Sequence, residues 1–245
     1  MTALRRSDRI AILTALAGVM ALSWAWIVAM AGMPMAAGHG WDATHAALMF
    51  AMWAVMMVGM MLPSATPMAL IYAQVARKAE RDGSVLPPTA VFVAGYLLAW
   101  TAFSAAATAA QWAFDRSALL SPMLVANDSR VAAALLAAAG VWQLTPWKNA
   151  CLRHCRAPAH FFASHFRPGW RGALRLGLYH GLYCLGCCWV LMGLLFVGGV
   201  MNLLWIASIA LFVLIEKLIP GGVVGGRLAG AALIALGAAA WWIGW

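Results

Sequence analysis

A short apolar stretch, residues 179–192, combines thiol, imidazole and thioether side chains. Most of them recur every four positions, and an α-helix has about 3.6 residues per turn, so they share one helical face. These side-chain types are ligands for soft transition metals. We therefore predict a metal-binding stripe on one helix. Its members are His180, Cys184, Cys188 and Met192, with Cys187 beside them.

The three cysteines of this stripe lie within five residues of one another. A single buried cysteine behaves as a small hydrophobic side chain, which explains one such residue easily and three poorly. A thiolate inside lipid is costly unless a metal or a cation compensates its charge. Metal ligation is therefore favoured, and a redox-active Cys187–Cys188 pair is the alternative.

A second set of soft donors lies on one face of an earlier apolar segment. Methionine is also an adaptable core filler, so each one alone has a purely structural explanation. Leucine would fill such a helix equally well, and the density of methionine therefore favours a thioether-lined path suited to Cu(I). His39 would add an imidazole at its outer mouth. The face contains His45, Met49, Met52, Met56 and Met60.

A third group begins at the end of the fourth apolar segment. Cys151 and Cys155 are one helical turn apart, and His154 adjoins them. Their spacing differs from that of zinc-finger ligands. We predict either a site that receives a metal leaving the membrane or a basic segment that lies on anionic lipid.

The composition indicates the class of protein to which these groups belong. Of 245 residues, 65% are hydrophobic and 9% are charged, whereas soluble domains carry about 25% charged residues. We expect an all-α, polytopic transmembrane helical bundle of about seven spans, with six as the alternative because the turn at Gly198-Gly199 is short. Pro63 and Pro67 predict a kink or a break in the second span. The apolar runs are residues 10–33, 45–76, 89–114, 130–147, 176–197, 201–218 and 228–245.

The distribution of the 16 Lys and Arg residues predicts the orientation. With the N-terminus inside and the C-terminus outside, only Arg116 and Arg130 fall on the outer side, which agrees with the positive-inside rule. The net charge of +9 is then a topology signal rather than a sign of nucleic-acid binding. We expect a single integral domain, residues 1–245, in the lipid bilayer of the bacterial inner membrane, with a basic cytoplasmic loop at residues 148–175.

Two features near the inner ends of the spans remain open to interpretation. Glu216 and Lys217 predict either an interfacial ion pair with snorkelling side chains or an internal carboxylate that serves a proton or a metal. Small residues one turn apart predict close helix–helix packing, although they are also common in apolar helices. These glycines are Gly177 and Gly181, and Gly222, Gly226 and Gly230.

Several segments together resemble a bacterial family of predicted metal-binding integral membrane proteins, a domain of unknown function. The resemblance implies a multi-pass membrane protein with a metal-related role. It covers most of the chain from the second to the sixth span. The matching segments are residues 52–63, 143–148, 151–158, 184–192, 199–202 and 216–220.

The favoured function is binding of a soft transition metal, copper above all, for transport, delivery or homeostasis. The metal would enter at His39, His45 and Met49, follow the methionine face to the cysteine stripe and leave by Cys151 and Cys155, exchanging with a donor or acceptor protein. No nucleotide-binding or hydrolase motif indicates an enzyme. The alternatives are a membrane thiol/quinone oxidoreductase that uses Cys187 and Cys188, and a structural or assembly protein without metal.

Overall fold

The computed structural model describes residues 5–31, 41–121 and 124–243. Within these ranges helices joined by turns make up the chain, together with an isolated antiparallel bridge between Leu120 and Ala126. The predicted all-α fold is therefore confirmed. The helices are α1 (Arg6–Ala31), α2 (Ala43–Arg81), α3 (Thr89–Arg116), α4 (Ser129–Leu144), α5 (Pro146–Arg156), α6 (Pro158–His165), α7 (Gly169–Gly193), α8 (Leu195–Gly198), α9 (Leu203–Leu218) and α10 (Gly222–Ile243).

Five helical segments are long and apolar enough to cross a membrane, namely α1, α2, α3, α7 with α8, and α10. Helices α4 and α9 occupy two further predicted spans but have 16 residues each. At about 1.5 Å per residue such a helix is roughly 24 Å long, shorter than the hydrocarbon core of about 30 Å. The count of seven spans and the orientation therefore stay predictions. Gly199, with φ of 95°, makes the turn into α9.

Helix α2 runs through both of its prolines without interruption. Of the two outcomes predicted at Pro63 and Pro67, a break is thus wrong and a kink stays a prediction. Proline removes an amide donor from a helix, so the carbonyl oxygens four residues earlier, those of Gly59 and Pro63, lose their usual helical hydrogen bond. In the same turns the Ser64 hydroxyl donates to the Met61 carbonyl oxygen at 2.8 Å, and the Thr66 hydroxyl donates to the Leu62 carbonyl at 3.3 Å, so both hydroxyl groups are bonded within the helix.

Helices α3 and α7 pack directly on each other through glycine. A Cβ atom at Gly177 would overlap the Phe92 carbonyl oxygen, and one at Gly95 would overlap the Leu174 carbonyl oxygen. The close-packing face predicted at Gly177 and Gly181 is therefore confirmed. Helices α4 and α10 form a second close pair at Gly140, Gly230 and Gly237.

The segment predicted as a basic cytoplasmic loop, residues 148–175, is largely helical and includes most of α5, all of α6 and the start of α7. Pro146 occupies the first turn of α5, and the Thr145 hydroxyl accepts a hydrogen bond from the Lys148 amide at 3.2 Å. This cap fixes the start of α5. Helix α5 then packs against α7, which brings its cysteines to the predicted stripe.

Candidate functional site

Cys184 is the point at which side chains from four helices meet. The Lys217 ammonium of α9 donates to its Sγ at 2.8 Å, and the Tyr96 hydroxyl of α3 lies 3.0 Å from the same atom. The Ser64 hydroxyl of α2 lies 3.8 Å from Cys184 Sγ and accepts from Lys217 Nζ at 3.3 Å. Cys184 is 1% exposed and Lys217 5%. A cation therefore lies against a thiol in the interior of the helix bundle.

The other thiols gather around Cys184. Cys187 and Cys188 lie within one turn of Cys184 on α7, and Cys155 on α5 is partly buried against the hydrophobic cluster that contains these three residues. The Sγ atoms of Cys187 and Cys188 also lie 3.0 Å from the Cys184 carbonyl oxygen. All five cysteines of the chain are free. Four thiols from two helices thus share one part of the core, and we call them the thiol cluster: Cys155, Cys184, Cys187 and Cys188.

Cys151 lies one turn before Cys155 at the edge of this group. Its Sγ would be 2.8 Å from a Cβ atom at Gly186, so glycine is needed there to admit the side chain. Burial, with a smaller contribution from the nearby Cys187, raises the pKa of the Cys151 thiol above its ordinary value. Cys151 is therefore a neutral thiol at neutral pH, next to the thiol cluster.

The methionine face of α2 lies in the protein interior. Met49, Met52, Met56 and Met60 are buried and belong to one hydrophobic cluster with Cys184, Cys187, Cys188 and Met192. Helix α3 packs against both α2 and α7 and so connects the two stripes. The sulfur of Met49 accepts from Gln111 Nε2 at 3.2 Å, whereas Gln111 Oε1 accepts from Trp53 Nε1 at 2.7 Å.

Of the two outer histidines, His45 lies within the described residues. His45 is partly exposed near the start of α2 and packs edge-on against the Trp41 ring, with ring centroids 4.9 Å apart. His39 lies outside the described residues. Neither residue is shown near the thiols, so their role at the mouth of a metal path stays a prediction.

His180 lies in an aromatic enclosure rather than among polar groups. It is buried, and its ring lies 5.5–6.0 Å from the ring centroids of Phe92, Tyr96 and Phe161. Among the described residues its Nδ1 has no hydrogen-bond partner. A charged imidazolium would leave a donor unsatisfied there, which is costly in an apolar environment, so the ring is neutral.

The charges at the inner end of α9 contradict the interfacial ion pair, whereas Glu216 is an internal carboxylate whose role for a proton or a metal stays a prediction. Glu216 and Lys217 are buried, so snorkelling to an interface is wrong, and they are not paired with each other. Glu216 instead forms a salt bridge with Lys148 of α5, and both side chains are 1% exposed. Lys148 is thus an interior ion-pair partner and not a solvated charge of a basic loop. Arg156 donates to the carbonyl oxygens of Glu216 and Pro220 at 2.7 and 2.9 Å.

The thiol cluster is not a preformed metal cage. In the described part of the chain, no group of three or more His, Cys, Asp and Glu side chains is arranged to hold a metal ion. A metal would have to displace protons from the thiols and draw the sulfur atoms together. Thiolate and thioether groups, which are present here, select Cu(I) over harder ions.

Three partners of Cys184 were not among the residues predicted from sequence as ligands: Lys217, Tyr96 and Ser64. For Lys217 a signal existed, because a cation inside an apolar segment needs a compensating partner. Tyr96 and Ser64 carry no such signal, since single hydroxyl groups are common in membrane helices.

Comparison with known proteins adds one result. The family model PpoB2, described as a copper chaperone, matches residues 50–240. The matched region contains the thiol cluster, Tyr96 and Lys217, and it begins after His45 and Met49. No curated protein and no solved structure matches the chain.

Proposed function

This chain belongs to the PpoB2 copper chaperone family, and from this premise we propose that it binds Cu(I) at the thiol cluster and delivers it to a partner protein. The observation that carries the proposal is the contact of Cys184 with a buried cation, in a part of the core where Cys187 and Cys188 of α7 lie and against which Cys155 of α5 packs. Copper is the cargo in this proposal, and the cluster is where it rests between donor and acceptor.

The chemistry of the cluster suits a soft monovalent ion. Thiols must lose their protons to bind metal, and the Lys217 ammonium beside Cys184 supports a thiolate there by direct charge compensation. Sulfur ligands favour soft ions, Cu(I) among them, over hard ones. Because the thiols come from two different helices, a small displacement of α5 from α7 would separate the ligands and release the ion.

The methionines of α2 are the proposed route to or from this cluster. Thioether groups are neutral, so a copper ion that moves between them and the thiols brings only its own charge into the interior. The buried positions of Met52, Met56 and Met60 in the same hydrophobic cluster as the cysteines support this route. We place the protein in the bacterial inner membrane, with its N-terminus inside. Its helices of membrane-spanning length support the membrane location.

The central experiment measures bound copper in the purified protein. Wild type and a Cys184→Ser/Cys187→Ser variant are loaded with Cu(I) in detergent, desalted and analysed by mass spectrometry for copper per chain. We expect copper in the wild type and a loss of most of it in the variant, since two of the four thiols of the cluster are removed. Ser104→Ala is the matched control because its buried hydroxyl bonds only the Trp100 carbonyl within α3. Equal copper in wild type and variant would refute the proposed site.

A second comparison tests the methionine route. A Met52→Leu/Met56→Leu/Met60→Leu variant removes three thioethers while it keeps apolar volume, and we expect slower copper loading. Met68→Leu is the control, because Met68 is equally buried but belongs to a separate hydrophobic cluster. If both variants load at the wild-type rate, the methionines act in packing alone. The oxidoreductase alternative stays a prediction, and mapping of thiols in oxidised membranes tests it.

A further inference from the structure

Lys217 carries a full charge into the interior beside the thiol cluster. Its Nζ contacts Cys184 Sγ at 2.8 Å and Ser64 Oγ at 3.3 Å, and the residue is 5% exposed. Among the described residues nearby, Lys148 and Glu216 compensate each other in a buried salt bridge, and the partly exposed Arg156 donates to the carbonyl oxygens of Glu216 and Pro220. Lys217 is therefore the buried cation that directly contacts a thiol of the cluster.

We infer that Lys217 determines which metals the thiol cluster accepts, and that it favours monovalent soft ions over divalent ones. The inference rests on the proposed copper-binding function and adds a specificity determinant to it. Lys217 acts through charge and does not bind the metal itself. The class of ions favoured is Cu(I) and Ag(I), and the class disfavoured is Zn(II) and Cd(II).

The argument is a balance of charge in a medium that solvates ions poorly. When two thiols of the cluster bind as thiolates, they and the Lys217 ammonium together carry a net charge of −1. A monovalent ion then makes the cluster neutral, and a divalent ion leaves it at +1. Uncompensated charge is costly in a buried, apolar environment. Without Lys217 the same two thiolates carry −2, and the divalent ion becomes the one that gives neutrality. No electron transfer is involved, and each thiol that binds releases one proton to solvent.

The surroundings of the cluster do not offset this balance. His180, one turn before Cys184, is neutral because its ring is enclosed by aromatic side chains and Nδ1 has no partner in the described structure. Tyr96 and Ser64 contribute neutral hydroxyl groups to Cys184. Soft zinc and cadmium ions also bind thiolates well, so sulfur ligands alone do not exclude them, and charge provides the discrimination.

The test compares metal selectivity in wild type and Lys217→Met. Each purified protein is equilibrated with equal free Cu(I) and Zn(II), and bound copper and zinc are measured per chain. We expect the copper-to-zinc ratio to fall by about tenfold or more in Lys217→Met, since one compensating charge in contact with a ligand is lost. The control is Lys148→Met/Glu216→Gln, which removes a buried lysine without a change of net charge and should keep the wild-type ratio.

The ratio separates a charge effect from a structural one. If Lys217 only positions Cys184, both metals should bind less well and their ratio should stay unchanged, which would overturn the inference. If Lys217→Met does not fold, competition on the wild type decides: Ag(I) should displace Cu(I) and Cd(II) should not. Equal displacement by Ag(I) and Cd(II) would overturn the inference. A wild type that binds neither Cu(I) nor Ag(I) would instead refute the proposed function itself.

Discussion

The salt bridge between Lys148 and Glu216 provides a quantitative test of the helix packing around the site. Both side chains are 1% exposed, and they join α5 to α9 across 68 positions of sequence. In the described structure Glu216 Oε2 has no hydrogen-bond partner. Lys148→Met would therefore leave the carboxylate without any strong partner, and Glu216→Gln would leave a buried ammonium without a counter-charge.

The magnitude follows from the burial of both groups. Removing one partner of a buried pair costs about 3–5 kcal/mol, because the remaining charge is desolvated and uncompensated. Such a loss lowers the ratio of folded to unfolded protein roughly a hundred- to several-thousand-fold. Replacing both partners by uncharged groups of similar volume is often nearly neutral. We therefore expect the double variant Lys148→Met/Glu216→Gln to be more stable than either single variant.

The assay is a double-mutant cycle on the free energy of unfolding, measured by denaturant titration in detergent micelles with circular dichroism. Arg153→Met is the matched control, because Arg153 lies on the same helix and is exposed; its effect should stay within about 0.5 kcal/mol. Single variants that each cost less than about 1 kcal/mol, or a double variant equal to the sum of the two, would refute the buried pair.

Two further predictions concern the packing that positions the site. Gly177→Ala should destabilise the protein strongly or prevent its folding, because the added Cβ would overlap the Phe92 carbonyl oxygen. Gly18→Ala has open space around the added Cβ and should stabilise α1 by up to about 1 kcal/mol. The unfolding midpoints of the two variants are compared with that of the wild type, and equal shifts would contradict the α3–α7 contact. Trp53→Phe removes the donor to Gln111 Oε1 and should cost about 1–3 kcal/mol, since a buried acceptor is left unsatisfied; a normal unfolding free energy for this variant would show that the bond is absent.

Much of the helical framework was predictable because it depends on local composition. Apolar runs longer than about 18 residues predict membrane-spanning helices whatever their neighbours are. The predicted runs that contain α2, α3, α7 and α10 illustrate this. The cysteine stripe was also predictable, since the four-residue spacing of Cys184 and Cys188 places them on one face of any helix.

Which residues belong to the site was harder to predict from the sequence. Cys155 was predicted as a separate exit ligand, and the structure packs it against the core that contains the stripe because α5 is a helix packed on α7. The region around Lys148 was predicted as a loop because it is rich in basic residues. Composition describes a segment's average polarity and does not reveal that Lys148 points inward to a carboxylate.

The pairing of the buried charges shows most clearly what each level determines. The sequence by itself determined that Glu216 and Lys217 lie in an apolar segment and therefore need compensation. It also determined the helical face of the thiols, because that face depends only on spacing within one helix. Only the tertiary structure decided that Lys148 compensates Glu216 and that Lys217 contacts Cys184. The physical reason is that adjacent residues on a helix point in different directions, so their partners are chosen by whichever helices pack on each side.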